Sequence, residues 1–239
     1  MKKLFIIKAG STFDSLLEPL GDFEEWVEKG LCMPPMRIQV VDAARGGQLP
    51  GADLCSGVVV TGSHAMVTDD LPWSLGIERW IPGLLNEAVP FLGICYGHQL
   101  LGRATGGTVG YHPLGREVGT VTVDLNDEAN GDELFRGIPK CFHAHATHAQ
   151  SVLQLPPGSV LLGGNGHEAH HAFRIGRCAW GVQFHPEYTA AVMRGYIEEQ
   201  RRGLEAAGKD VEGMIAGVVE CPDAATLLRN FASLASRAF

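Results

Sequence analysis

Residues 90–99 read PFLGICYGHQ. An apolar run, Pro90–Ile94, ends at Cys95 between Gly93 and Gly97, and a helical pattern over Tyr96–Thr105 begins directly behind it. A cysteine that only fills a core needs no glycine two residues to either side. The G-x-C-x-G spacing has the form of a nucleophile elbow, in which glycines leave room for a strained turn and the side chain projects outward between strand and helix. The helix start behind it presents free backbone N–H groups and the positive end of a dipole. Both favour a thiolate and both stabilise an oxyanion.

Upstream, the same alternation of strand and helix recurs. Leu4–Ile7, Ile38–Val41 and Val58–Thr61 are short, rich in Val and Ile, and apolar without alternation. That is the pattern of strands covered by helices on both faces. Asp22–Lys29 and Trp73–Asn86 carry helical patterning; Trp26 and the set Trp73, Trp80 and Ile81 read as buried helix faces, with Asp69, Asp70 and Pro72 at a helix start. The βαβα order predicts an α/β fold, flavodoxin-like and doubly wound, with a mostly parallel central sheet and helices on both faces.

After Gly106 the chain reads as shorter strands joined by turns: Glu117–Leu125, Cys141–Ala146, Ser159–Gly163, Ala169–Ile175 and Ala179–Phe184. These are expected as additions to the parallel core, some of them antiparallel. From Thr189 onward three helices are expected, Ala190–Ala207, Val211–Val219 and Ala224–Ala238, forming a helical C-terminal extension over 190–239. No linker, repeat or low-complexity tract divides the 239 residues, so one domain over 1–239 is expected.

Composition narrows the function. Hydrophobic residues make up 45% of the chain and charged residues 19%, enough for a sizeable core. The net charge of −8 and the lack of a dense basic patch argue against nucleic acid or an anionic membrane as main partner. The N-terminal apolar run stops at Lys8, too short for a signal sequence, and no stretch could span a bilayer. Six scattered cysteines without a C-x-x-C pair point to free thiols in a reducing compartment, hence a cytoplasmic protein.

A thiol nucleophile needs a base, and the base an orienting group. Residues 181–187, GVQFHPE, supply both. His185 and Glu187 follow an apolar strand, and their i, i+2 spacing puts both side chains on one side of an extended segment. Glu187 would then accept one imidazole N–H and leave the other ring nitrogen for Cys95.

GICYGHQ and GVQFHPE together, in this order, closely resemble the class I, triad-type glutamine amidotransferases, nearest to the glutaminase domain of GMP synthase and its freestanding relatives. The resemblance implies Cys95 as nucleophile, His185 as its base and Glu187 as the third member. It implies an oxyanion hole from the backbone N–H groups of Gly62, in Thr61-Gly62-Ser63, and Tyr96. Gln99 matches the family's elbow glutamine, near the bound substrate. Gly115–Gly119 (GREVG) and Thr147–Val152 (THAQSV) resemble its G-R-E-x-G and S-H-x-D-x-V stretches. These matches make Val118, His148 and Ser63 further substrate-side residues. Gln150 stands where the family has aspartate, a departure at a contact specific to GMP synthase.

The implied reaction is hydrolysis of the glutamine side-chain amide through a γ-glutamyl thioester on Cys95, giving glutamate and ammonia without metal or organic cofactor. The implied partners are glutamine or another γ-glutamyl compound, and an ammonia-accepting synthetase subunit. The sequence has no G-x-x-x-x-G-K-[ST] phosphate loop, and the chain reads as a complete, freestanding protein. One alternative is a γ-glutamyl peptidase or hydrolase with the same triad. Another is a regulatory subunit, inactive without a partner. An α/β-hydrolase with a cysteine nucleophile fits poorly, because Glu187 follows His185 rather than preceding it.

Two histidine groups, His143/His145/His148 and His167/His170/His171, have spacings that zinc could use, but only Glu168 stands by as an added ligand. They read as strand and surface residues, with no metal site expected. His98 reads as packing. Tyr188 reads either as a strand-end cap or as pocket lining.

Overall fold

The first four apolar runs become neighbouring strands. The computed structural model describes residues 2–237. Its first half runs β1 (Lys3–Lys8), α1 (Asp14–Leu20), α2 (Phe23–Leu31), β2 (Ile38–Asp42), β3 (Cys55–Val60), α3 (Pro72–Asn86), β4 (Phe91–Ile94) and α4 (Tyr96–Ala104). Seven strands follow: β5 (Thr108–Tyr111), β6 (Glu117–Leu125), β7 (Cys141–His148), β8 (Gln150–Gln154), β9 (Ser159–Gly164), β10 (Ala172–Ile175) and β11 (Ala179–Val182). The helices α5 (Ala190–Glu199), α6 (Arg201–Ala206), α7 (Val211–Ala216) and α8 (Pro222–Arg237) complete the order.

Nine strands form one mixed sheet, β2-β1-β3-β4-β11-β10-β9-β6-β7. From β2 to β11 the pairs are parallel; from β11 to β7 they are antiparallel. Alternation along β1 sorts the core into two layers. Leu4 and Ile6 face Val27 and Leu31 of α2 and Leu227 and Phe231 of α8. Phe5 and Ile7 face Ile77 and Ile81 of α3 and Leu100 and Leu101 of α4. Helices cover both faces of the parallel part, as its apolar strands require.

Several expectations change. Ala179–Val182, expected among the added strands, is the fifth parallel strand, because it pairs with β4 residue for residue from Phe91 to Ile94. β5 and β8 were not legible; they form a separate two-stranded antiparallel sheet, and their mixed TVGY and QSVLQ sequences carry no clean period. α1 was missed because Pro19 lies inside it and only Leu16 is buried. The helix expected over Ala190–Ala207 breaks at Gln200. Its side chain donates to the Tyr196 carbonyl (3.0 Å) and to Thr147 Oγ1 of β7 (3.2 Å).

The C-terminal extension divides in two. Helices α5 to α7 pack around Tyr188, Phe23 and Trp26. Helix α8 returns to the sheet, where the Ala235 Cβ lies 2.7 Å from the place a Cβ would take on Gly57 of β3. Ala238, expected at its end, lies outside the described residues. Among the described residues no helix is long and apolar enough to cross a membrane.

Candidate active site

Ligands of open α/β sheets bind beyond the carboxyl ends of the parallel strands. Three such ends meet here: β3 runs into Gly62 and Ser63, β4 into Cys95, and β11 into His185. Cys95 has φ +50° and ψ −96°, a conformation that costs a residue with a Cβ roughly 1–3 kcal/mol. The flanking glycines are required by close approach. A Cβ on Gly93 would run into the Gly97 carbonyl and sit 2.7 Å from the His98 nitrogen. A Cβ on Gly97 would run into the Val60 carbonyl of β3 and sit 2.9 Å from the Val60 Cβ. The elbow is held from both sides: the Cys95 N–H donates to Val182 of β11 (2.8 Å), and the Cys95 carbonyl accepts from Gln99 (3.1 Å). Its Sγ lies 3.9 Å from the Thr147 carbonyl oxygen.

His185 is anchored by its backbone N–H, which donates to His145 of β7 (2.7 Å). Its Nδ1 lies 2.7 Å from Glu187 Oε1, and both side chains are buried. The contact forms through a turn rather than the extended segment expected. Tyr188 N–H closes that turn on the His185 carbonyl (3.4 Å), which also folds the Tyr188 ring back over the imidazole. Burial alone would depress the His185 pKa. The charges of Glu187 and of the nearby Cys95 sulfur outweigh burial and hold it up at about 10. This arrangement commits Nδ1 to Glu187 and leaves Nε2, which has no hydrogen-bond partner among the described residues, for the sulfur and the reacting groups.

Cys95 and His185 share a cavity of about 310 Å³. Of the other residues expected at the site, Ser63, Tyr96, Gln99 and His148 line it. Gln99 donates to the Gln150 carbonyl (2.7 Å) and to Gln183 Oε1 (3.0 Å), which fixes the wall strand against the elbow helix. The Tyr96 N–H opens α4, where no intrahelical acceptor exists. Gly62 lies against the imidazole edge, since a Cβ there would be 3.0 Å from His185 Cε1. Val118 does not line the cavity; it packs, half-buried, on the cluster around Phe23 and Tyr188. Gln150 does line it, and its amide ties β8 to Thr68 Oγ1 (2.6 Å).

Sequence reasoning missed the opposite wall. Phe13, Phe23, His64 and Tyr196 complete the cavity, with Arg116 and Gln200 hydrogen-bonded to each other on its lining. These residues come from separate segments and carry no local pattern. Only Arg116 lay in a stretch already tied to the site, and Tyr188 resolves as pocket lining.

Residues 52–201 match the family described as glutamine amidotransferase class-I. The chain belongs to that family. It is 35% identical over 151 residues to a glutamine-hydrolyzing GMP synthase subunit of Ignicoccus hospitalis, covering 61% of this chain and 76% of that one. It is 33% identical over 170 residues to the GMP synthase of Thermobifida fusca, covering 68% of this chain. That match spans only 29% of the Thermobifida protein, so the likeness reaches less than a third of that longer chain. Two crystal structures share its fold over the full chain. One is a glutamine amidotransferase from Thermotoga maritima, with TM-score 0.74, 21% identity and 98% of that chain covered. The other is from Methylobacillus flagellatus, with TM-score 0.77, 23% identity and 96% covered.

Behind the polar wall, the chain buries a polar cluster around Glu117. Glu117 Oε2 lies 3.0 Å from His148 Nε2 and 3.2 Å from His171 Nε2, while Oε1 accepts from Asn165 (2.9 Å). Burial would raise its pKa, but these partners win and hold the carboxyl well below the usual range. The histidine groups split up. The two-residue period of β7 sends His143 and His145 to one face and His148 to the other. Among the described residues, no group of three or more His, Cys, Asp or Glu side chains is positioned to hold a metal ion. His98 is fully buried against Phe173 (4.8 Å), and that burial pushes its pKa down to about 3, in keeping with packing.

Proposed function

We propose that this amidotransferase hydrolyses the side-chain amide of glutamine to glutamate and ammonia, with Cys95, His185 and Glu187 as its triad. The observation that carries this reading is that Cys95, on a strained elbow, shares one cavity with His185, whose imidazole is hydrogen-bonded to Glu187. The Cys95 thiolate attacks the γ-carbonyl carbon, and the Gly62 and Tyr96 N–H groups receive the developing oxyanion. His185 gives its proton to the departing nitrogen. A water then attacks the thioester as His185 takes its proton, releasing glutamate and restoring the thiolate. Ser63, Gln99 and His148 face the substrate in this reading.

The likeness to a protein named as one subunit of GMP synthase supports a partner arrangement, in which a synthetase chain takes up the ammonia. The 2-1-3-4 order of the first strands supports a flavodoxin-like winding. We read residues 1–239 as one domain of a cytoplasmic protein.

The test is glutamate release from L-glutamine by the purified chain, with Cys95→Ala as blank and mass analysis of the acid-quenched enzyme. Glutamate release that depends on Cys95, with a γ-glutamyl adduct on that residue, is expected. Release that survives Cys95→Ala would sink the nucleophile assignment.

A further inference from the structure

The cavity has two unlike sides. Gln99, His148 and Gln150 make the elbow side polar. The other side carries the Arg116–Gln200 pair and a run of rings that starts at the imidazole itself. Tyr188 stacks on His185 with centroids 4.0 Å apart, Tyr196 lies 5.0 Å from Tyr188, Phe13 lies 5.1 Å from Tyr196, and His64 lies 4.3 Å from Phe13. Phe23 flanks Tyr188 in a stacked orientation at 6.5 Å. All of these rings line the cavity. The Tyr196 hydroxyl is committed to Thr12 (2.8 Å) and His64 (3.1 Å), which ties down the polar end of that ring.

Ammonia has no apolar surface, so a wall of rings gives it nothing to bind. The wall's position matters more than its composition. His185 protonates the departing nitrogen, so whatever that nitrogen carries lies on the His185 side of Cys95, against these rings. We infer that, among N-substituted γ-glutamyl amides, the site selects those whose amine carries an aromatic ring, held against Phe13 and His64, the more open rings of this wall, while the glutamyl part meets the polar side. This rests on the amide-hydrolysis reading above and changes only the leaving group.

The chemistry balances with water alone. The thiolate forms a C–S bond as the C–N bond breaks, and the His185 proton makes the departing nitrogen a neutral amine. Water then replaces sulfur on the acyl carbon, its proton returning to His185. The sum is γ-glutamyl amide plus water giving glutamate plus arylalkylamine.

The experiment compares kcat/KM of the full chain on L-glutamine, γ-glutamyl methylamide and γ-glutamyl benzylamide. Methylamine and benzylamine are both alkylamines, so the ratio between their amides reads the pocket rather than leaving-group activation. The benzylamide is expected to exceed the methylamide by about tenfold or more. Phe13→Ala is expected to cut that ratio by about threefold or more. Benzylamine should inhibit glutamine hydrolysis where methylamine does not, a readout that holds even if Phe13→Ala fails to fold. Cys95-dependent turnover of glutamine with no benzylamide preference overturns the inference and leaves the amide-hydrolysis reading intact. Absence of Cys95-dependent release from all three compounds overturns both.

Discussion

The Tyr188 ring lies on the His185 imidazole, with centroids 4.0 Å and planes 23° apart. Gly62 lies at the imidazole edge, where a Cβ would sit 3.0 Å from Cε1. The stacked ring, the glycine at the edge and the Glu187 contact at Nδ1 together hold the imidazole in place. Tyr188→Leu should lower kcat by about two- to tenfold, the worth of one aromatic stack, while Tyr188→Phe keeps most of the rate. Steady-state kinetics of the two variants check this; equal losses would assign the effect to the hydroxyl instead.

Glu187→Gln should move the alkaline limb of the rate profile. The carboxylate is the main group opposing burial at His185, whose pKa stands at about 10. An imidazolium held up in this way persists as pH rises and is lost through the folded pKa. Its contribution to stability is therefore complete below the ordinary histidine value near 6.5 and disappears through about pH 10. Without the carboxylate, the alkaline limb of kcat/KM should shift down toward that ordinary value, which a pH series on wild type and variant would reveal.

Gly93→Ala should disable the elbow without touching a reacting atom. The added methyl would collide with the Gly97 carbonyl, and neither backbone can withdraw while β4 and α4 stay packed. A cost of about 1–3 kcal/mol is expected, seen as a lower urea midpoint together with lost turnover. A variant of wild-type stability would show that the elbow can relax.

Cys95→Gly and Cys95→Ala should both be inactive yet differ in stability. At φ +50° a glycine pays no Cβ penalty and alanine does. The glycine variant should be the more stable by about 1 kcal/mol in urea unfolding.

Glu117→Gln should flatten the acid limb of the stability profile. The native carboxyl is held below its unfolded value of 4.5 by His148 and His171. Stability from a depressed carboxylate is present above the unfolded pKa and is lost as pH falls toward the folded one. The wild type should therefore lose stability below about pH 4.5 more steeply than the variant, as denaturant titrations between neutral and acid pH would register.

What the sequence alone determined was everything encoded within a few consecutive residues. The G-x-C-x-G elbow, the HPE segment and the unbroken apolar runs of β1, β3 and β4 are local patterns, because strand burial and turn sterics act on neighbours in the chain. They were enough for an α/β fold and the family, and they singled out Cys95 and His185, which the fold brings to one cavity. Only the tertiary structure decided the rest. It made Ala179–Val182 a core strand, turned α8 into a cover for the sheet, and took Val118 out of the cavity lining. It also assembled the ring wall from Phe13, Phe23, Tyr188 and Tyr196, four residues from separate segments whose proximity is set by how α1, α2 and α5 pack. Packing between distant segments leaves no period in the sequence, so one side of the cavity was legible before folding and the other was not.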